Sequence, residues 1–211
     1  MRNYVNITIY GTSFALVLYK LMDMNKIISV AMIAIIFLLP GCIKVGQIGN
    51  INFNVPYSQQ VDVPQVADDS FGTALPAGGI SIGLPAVGFA TNSGQYLVTY
   101  NTSASKITTV DLKSLSLQIL APATQNFDFL DSVQVYISAQ DQPKMLVAYQ
   151  YSVAKGLTTL SMNTVTDVNL KNYFIQDTIY FRINTHVNAI PATGTQLNIA
   201  SSFHVLANLL N

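Results

Sequence analysis

The C-terminal part of the chain alternates apolar and polar residues with a period of two. In DTIYFRINTHVNA, residues 177–189, Ile179 and Phe181 begin an apolar series at every second position. The segment QLNIASSFHVL, residues 196–206, follows the same pattern. Successive side chains of a strand point to opposite faces, so each segment predicts a β-strand with one buried and one wet face. The sequence IPATGT between them predicts an antiparallel hairpin with its turn near Ala192.

The same alternation recurs upstream. In TTVDLKSLSLQIL it changes phase near Lys113 and Ser114, which predicts a β-bulge. A helix is predicted at 93–101, and a second one that Asp167 would N-cap and that would run to Tyr173. The remaining strand predictions are 51–55 as an edge strand interrupted by Pro56, 80–82, 132–138 and 144–151 joined by the turn AQDQP, and 157–165.

The polar surface of the protein is built without glutamate. Every acidic residue is Asp, and charged residues make up 9% of the chain. Helix surfaces rely on Glu and Lys, whereas the wet faces of strands accommodate Ser, Thr and Asn. Half of the residues are hydrophobic, which is enough for one sizeable core. We therefore predict an all-β chain, an antiparallel β-sandwich of immunoglobulin-like or related type with one or two short helices, as a single domain over residues 51–211.

The only cysteine of the chain, Cys42, follows a short apolar run. After Lys26 come thirteen residues, 27–39, of which only Ser29 is polar. A basic start, a short apolar stretch and small residues at its end are typical of a secretory signal. At 1.5 Å per residue the run spans about 20 Å, too short for a bilayer core of about 30 Å. The alternative role for Cys42 is that of a small buried hydrophobe.

The stretch Leu39-Pro40-Gly41-Cys42 resembles the lipobox of bacterial lipoproteins. This resemblance implies that the thiol of Cys42 receives a diacylglyceryl group and that the peptide bond after Gly41 is cut. Cys42 would then be the first residue of the mature protein, held in a membrane by two or three acyl chains, which give stable anchoring. Pro40 departs from the alanine or serine that is usual at its position.

This resemblance implies how the N-terminal region is organised. We expect a lipoprotein signal peptide over 24–41 and a tether over 42–50. Residues 1–23 fit a signal poorly, so we expect an over-long start with translation beginning at Met22 or Met24; the alternative is a long leader removed with the signal. The mature part also resembles the small β-rich lipoproteins of Bacteroidota-type bacteria, which implies a binding or structural role in the cell envelope. The tether has no early Asp, which by analogy favours the outer membrane, on its periplasmic side or at the surface.

Several chemistries are unsupported by the sequence. From Cys42 onward the net charge is about −2, so neither a basic face nor nucleic-acid binding is expected. One cysteine allows neither an internal disulfide framework nor a thiolate zinc site. His186 and His204 occupy outward positions of the predicted hairpin about 20 Å apart, too far to share a metal ion. No phosphate-binding glycine loop or G-x-S-x-G elbow occurs. We therefore expect no metal, no cofactor and no catalytic residue.

Two pairs of Asp residues keep a hydrolase open as the alternative. Asp128 with Asp131, and Asp68 with Asp69, are the closest pairs in sequence, and paired carboxylates can hydrolyse glycosides. Both pairs fall in turn or loop sequence, where Asp commonly shapes the backbone.

The tyrosines are the remaining candidates for recognition. Tyr136 and Tyr180 have outward parity on their strands, and Tyr149 and Tyr151 share one face. Such rings can stack on sugars or pack against a partner protein, although tyrosine also suits strands for structural reasons. We therefore expect a lipid-anchored, non-enzymatic binding or assembly module with a protein or glycan partner.

Overall fold

Two antiparallel sheets contain most of the residues that the computed structural model describes, which are 49–63 and 75–209. These residues fall within one unit, Gln47–Asn211. The apolar sides of the two sheets share one core, which confirms the predicted all-β sandwich. In chain order the strands are β1 (Asn50–Asp62), β2 (Ile80–Gly83), β3 (Val87–Ala90), β4 (Ile107–Ala121), β5 (Leu130–Ala139), β6 (Gln142–Gln150), β7 (Thr159–Ser161), β8 (Asn163–Thr164), β9 (Thr178–Val187) and β10 (Gln196–Asn208).

The two sheets differ in strand order. Sheet A runs β1-β10-β4-β7, so β1 is an edge strand, as predicted. Its Pro56 has no backbone N–H to donate, and an edge strand tolerates this because one of its sides is unpaired. Sheet B runs β2-β9-β5-β6-β8, with β3 pairing β9 beyond the end of β2. The described α-helices are α1 (Ser93–Thr99) and α2 (Lys171–Phe174), both in connections between strands.

Aromatic rings from both sheets meet in the middle of the core. Phe181 of sheet B lies parallel to Phe203 of sheet A, with 6.4 Å between ring centroids. Phe89 packs against Phe181 at 5.0 Å, and Tyr57 packs edge-on against Phe203 at 5.6 Å. Burying a phenylalanine contributes about 1.5–3 kcal/mol, so this cluster is a major source of adhesion between the sheets.

The predicted bulge in β4 is confirmed. Leu112 pairs with Phe203 and Ser114 with Ser202, so Lys113 has no partner across the ladder. The extra residue shifts the phase of the strand, which allows Leu112 and Leu115 both to face the core.

The predicted C-terminal hairpin is wrong. β9 belongs to sheet B and β10 to sheet A, so residues 188–195 cross from one sheet to the other. The alternation of apolar residues is the same in a hairpin and in a crossing between sheets, since both need one buried face per strand. The pattern therefore gave the strands and their inward sides correctly but could not give their partners.

Two smaller predictions also need correction. The single strand expected over 157–165 is two short strands, β7 in sheet A and β8 in sheet B. Asp167 does not cap α2: it is exposed with a φ of 61°, and α2 begins only at Lys171. The side chain that receives the N–H of Lys171 is Asn169, at 3.0 Å, because it is two residues from the helix start.

The other local predictions are confirmed within the described ranges. α1 matches the helix expected at 93–101, β2 matches the strand at 80–82, and β5 and β6 form the predicted hairpin. No helix of the described residues is long and apolar enough to cross a membrane. Gly41, Cys42, Asp68 and Asp69 lie outside the described residues.

Candidate binding face on sheet B

Tyr136 and Tyr180 lie on the same solvent-facing side of sheet B. Tyr136 pairs with Arg182 across the β5–β9 ladder, and Ser138 pairs with Tyr180. The two tyrosines are thus diagonal neighbours, at a spacing of about 7 Å. Tyr180 is 42% exposed and lies over Gly88 of β3, where the missing side chain leaves room for the ring. The sequence predicted the outward parity of both rings, and the pairing of β5 with β9 brings them together.

Two polar side chains beside these rings have unused hydrogen-bonding groups. Arg182 and Asn184 are exposed on β9, and their side chains make no hydrogen bond or ion pair within the described part of the chain. Together with Tyr180 and His186 they occupy four alternate positions of β9, and this row of side chains extends about 20 Å. The sequence did not single out Arg182 and Asn184, because they become candidates for binding only once Tyr136 is known to lie across the ladder from β9.

An open depression of about 270 Å³ lies on the same face, lined in part by Gln134, two positions along β5 from Tyr136. It lies beside β2, a strand of only four residues in which Gly83 contributes no side chain to fill the space. Its lining is mostly polar and offers both hydrogen-bond donors and acceptors. The side chains that line it include Ser81, Ser132, Gln134, Asn184 and His186.

His186 is held in place by two contacts. Its Nε2 is 2.7 Å from the carbonyl oxygen of Gly78, which can only accept, so Nε2 carries the proton. Its Nδ1 is 3.3 Å from the hydroxyl of Ser81, within hydrogen-bonding distance. This arrangement holds the imidazole at the rim of the depression and ties the turn before β2 to β9.

Further aromatic and cationic groups extend the face across β6. The Nζ of Lys144 lies 4.1 Å from the ring centroid of Tyr136, within cation–π range. Tyr149 stacks on Tyr151 at 4.7 Å, and Tyr151 is 59% exposed. We name this surface the tyrosine face. It comprises Ser132, Gln134, Tyr136 and Ser138 of β5, Lys144, Leu146 and Tyr149 of β6, Tyr180, Arg182, Asn184 and His186 of β9, and Tyr151.

The opposite side of the sandwich has a different composition. We name the outer side of sheet A the serine face. Its positions on the three long strands hold no phenylalanine or tyrosine. They are Asn52, Asn54, Pro56, Ser58 and Gln60 of β1, Thr109, Asp111, Lys113, Ser114, Ser116 and Gln118 of β4, and Asn198, Ala200, Ser202, His204 and Leu206 of β10.

The two histidines occupy different sheets, contrary to the pairing expected from a hairpin. His204 lies opposite Asn54 and Asp111, with its Nδ1 3.9 Å from a carboxylate oxygen of Asp111. His186 lies opposite Ser81 and Ser132 in sheet B. Among the described residues, no group of three His, Cys, Asp or Glu side chains could hold a metal ion.

Asp128 and Asp131 both tie loops to the sandwich. An oxygen of the Asp128 carboxylate accepts the N–H of Gly156 at 2.6 Å, and the other accepts from Asn126 at 3.1 Å. The carboxylate of Asp131 accepts from the side-chain amide of Asn188 in the crossing after β9. These contacts give each carboxylate a structural role, as turn sequences suggested.

Comparisons with known proteins assign no family. No family model matches the chain, and no curated protein matches it. A similar solved structure is the infectious bursal disease virus VP2 subviral particle, at 14% identity and a TM-score of 0.32, covering 77% of this chain and 34% of that one. Desmodium yellow mottle tymovirus gives 12% identity and a TM-score of 0.23, covering 78% and 93% of the two chains. The Gx strain of infectious bursal disease virus gives 11% and 0.26, covering 76% and 37%.

This chain spans about a third of the length of the two infectious bursal disease virus chains. At TM-scores below 0.5, none of these likenesses assigns a function to it.

Proposed function

We propose that this protein is a lipid-anchored, non-enzymatic binding module of the cell envelope, attached to its membrane through acyl chains on Cys42. The tyrosine face is its binding surface, and a glycan is its ligand. The observation that carries this proposal is the grouping of Tyr136 and Tyr180 with Arg182 and Asn184, whose side chains have no partner among residues 49–63 and 75–209, beside a polar depression.

The chemistry of the tyrosine face suits a sugar chain better than a protein. A sugar ring presents C–H groups that pack on an aromatic ring and hydroxyls that both donate and accept hydrogen bonds. Tyr136 and Tyr180 supply the rings, and Asn184, Gln134 and Arg182 supply amide and guanidinium groups. The desolvated centre of a protein interface is depleted of charge and more apolar than this surface.

The length of the surface favours an oligosaccharide. The row along β9 extends about 20 Å, longer than one sugar ring, and it is open at the sides rather than enclosed. A sugar chain can lie lengthwise on a flat row of this kind. The row contains no pair of carboxylates that could hydrolyse the chain. The hydrolase alternative depends on Asp128 and Asp131, whose carboxylates are engaged in holding loops.

Binding of polysaccharides tests the face. We expect the detergent-solubilised full-length protein to bind at least one member of a panel of neutral and acidic polysaccharides in affinity electrophoresis. Each aromatic ring that stacks on a ligand contributes about 1–2 kcal/mol, so the double variant Tyr136→Ala/Tyr180→Ala should weaken this binding about 100-fold.

The matched control lies on the serine face. The double variant Asn54→Ala/His204→Ala removes two directly opposed outward side chains from sheet A. It should bind the same polysaccharide as the wild type does. Absence of binding to every polysaccharide, or equal loss in both double variants, would overturn the assignment of the face.

Replacement of the thiol tests the anchor separately. Cys42→Ser should abolish labelling by radioactive palmitate and move the protein from the membrane pellet to the soluble fraction. Palmitate labelling that persists in this variant would refute lipidation at Cys42 and would leave the polysaccharide result unaffected.

A further inference from the structure

Three strand ends meet at one end of sheet A. β1 begins there with Asn50 paired to Asn208, the last residue of β10. β4 also begins there, with Ile107 paired to Ala207. We name this end the base; the opposite end, where Asp62 pairs with Gln196, is the apex. The first described residue, Gly49, therefore lies at the base, next to the start of β1.

The base carries exposed apolar side chains. Leu209 is 39% exposed, and its backbone N–H bonds to the carbonyl oxygen of Gly49. Tyr100 is 40% exposed and stacks on Phe53 with 4.1 Å between ring centroids. Val98, in the last turn of α1, is 76% exposed, the highest fraction among the described large apolar residues. These side chains lie outside the core, and the sandwich itself leaves them uncovered.

The covalent chain limits how far this end can lie from Cys42. Seven residue steps separate Cys42 from Gly49, and an extended chain covers at most about 3.6 Å per step, or about 25 Å in all. β1 itself extends about 43 Å from base to apex, at 3.3 Å for each of its 13 residues. With Cys42 acylated as proposed above, the base would be held near the anchoring membrane, whereas the apex could lie far from it.

We propose that the base rests on the lipid surface of the membrane that holds Cys42, with Val98, Tyr100 and Leu209 in the headgroup region. This inference rests on the anchor in the proposed function. Tyrosine suits this depth because its ring is apolar and its hydroxyl can stay hydrated. Lys106 adds a cation at the base, as does Lys171, whose Nζ donates to the carbonyl oxygen of Ile107 at 2.6 Å, and Asp177, just before β9, adds an anion.

The contact fixes how the binding face is presented. With the base on the membrane, the long strands lead away from the lipid surface. The tyrosine face then lies at the side of an upright sandwich, open to a chain that passes along the membrane. An anchor without this contact would leave the sandwich free to tilt on its tether.

The absence of tryptophan from the chain allows a direct test. Single-tryptophan variants Tyr100→Trp and Leu120→Trp carry the reporter at sites of nearly equal exposure, 40% and 39%. Tyr100 lies near the base, whereas Leu120 lies beside Ala121, which pairs with Gln196 at the apex. Each variant is purified in lipidated form and reconstituted into vesicles of phosphatidylethanolamine and phosphatidylglycerol, with or without brominated acyl chains.

We expect brominated lipid to quench Tyr100→Trp several-fold more strongly than Leu120→Trp, and the same for Val98→Trp. Emission of the base variants should also move to shorter wavelength on reconstitution. Equal quenching at base and apex, in protein that sediments with the vesicles, would overturn the contact while leaving the anchor intact. Protein that lacks palmitate label and stays in solution would instead show that the anchor itself is absent.

Discussion

The tyrosine face and the serine face are both open to solvent, yet the chain builds them from different side chains. The serine face uses Ser, Asn, Gln and Thr, with no phenylalanine or tyrosine on its long strands. The tyrosine face carries four tyrosines beside Arg182 and Lys144, two of them half-buried and two, Tyr151 and Tyr180, exposed. Since sheet A shows that this fold can keep a wet face without aromatic side chains, sheet B does not need its exposed rings for solubility. Their presence there favours recognition over packing as their role.

The edges of the two sheets also differ. Sheet A blunts its β1 edge with Pro56, which has no N–H to offer another strand. Sheet B has β6 near its edge, paired to β8 over only two residues, and Lys144 lies on this strand. A lysine at an edge also discourages pairing with other chains. Lys144 therefore has a structural role at the edge of the sheet. Its cation–π contact with Tyr136 is a second role, whose contribution to stability can be measured.

The largest expected effect on stability concerns the turn that closes one end of the tyrosine face. Gly79 has a φ of +77°, and a Cβ there would lie 2.3 Å from the carbonyl oxygen of Val187. Gly156 has the same φ but open space around it. Left-handed backbone costs alanine about 1 kcal/mol, so Gly156→Ala should lose about that much stability.

Gly79→Ala should lose about 3 kcal/mol, because the clash with a backbone atom adds to the same backbone strain. Urea unfolding of the two variants measures the difference. Equal losses would mean that the turn does not pack against β9, and the position of His186 at the rim of the depression would then lose its support.

The sequence predicted much of this fold because the residues that become buried occupy every second position of each strand. The inward sides of β4, β5, β9 and β10, the bulge at Lys113 and the edge position of β1 all follow from local patterns of apolar residues and proline. The pairing of strands does not follow, because any two half-buried strands present compatible apolar sides. The C-terminal hairpin was wrong for this reason.

The tyrosine face was predictable only in part, for the same reason. Tyr136 and Tyr180 could be assigned to outward positions from parity alone. Their proximity depends on β9 lying beside β5, which joins residues 44 positions apart in sequence. Arg182 and Asn184 share the parity of Tyr180, but an outward arginine or asparagine is ordinary until its neighbours across the ladder are known.

A second prediction contrasts a tyrosine inside the sandwich with one on the tyrosine face. The hydroxyl of Tyr57 donates to the carbonyl oxygen of Thr91 at 2.6 Å in a buried contact between β1 and the segment before α1. Tyr57→Phe leaves that oxygen without its donor and should cost about 1–2 kcal/mol. Tyr180→Phe, at an exposed ring, should change stability by less than about 0.5 kcal/mol. Equal effects in urea unfolding would mean that Tyr180 is as much a part of the fold as Tyr57.

The same tyrosine gives stability a pH dependence. Burial, with Tyr96 nearby, raises the pKa of Tyr57 well above its ordinary value. The unfolded chain therefore loses this proton near pH 10 while the folded chain keeps it, so stability falls as the pH rises above about 10. Tyr57→Phe should make the fall shallower without removing it, because burial also raises the pKa of Tyr173. A wild-type curve that stays level from pH 9 to about 11 would contradict the raised pKa.

A third prediction compares the buried hydroxyls on the inner sides of the two sheets. Thr185 in sheet B donates to the carbonyl oxygen of Ile82 at 3.2 Å, so Thr185→Val should lose about 1 kcal/mol. The hydroxyl of Ser201 in sheet A is buried without a partner among the described residues, so Ser201→Ala should gain about 1 kcal/mol. Opposite signs in calorimetric melting are the expected result. A loss in Ser201→Ala would indicate a water molecule bound at that hydroxyl.

The smallest effect separates the two faces through their lysines. Lys144 lies over the ring of Tyr136, and an exposed cation–π contact is worth about 0.5 kcal/mol, so Lys144→Ala should lose about that amount. Lys113, at the bulge on the serine face, has no aromatic ring on the neighbouring positions, and Lys113→Ala should be neutral. A difference this small needs a cycle with Tyr136→Ala, in which the loss from Lys144→Ala should disappear because the ring is gone. If Lys144→Ala costs the same with and without the ring, its contribution comes from the edge strand rather than from Tyr136. Lys144 and Tyr136 would then contribute to stability independently of each other. In that case, only a loss of polysaccharide binding in Lys144→Ala would show that this lysine belongs to the binding surface.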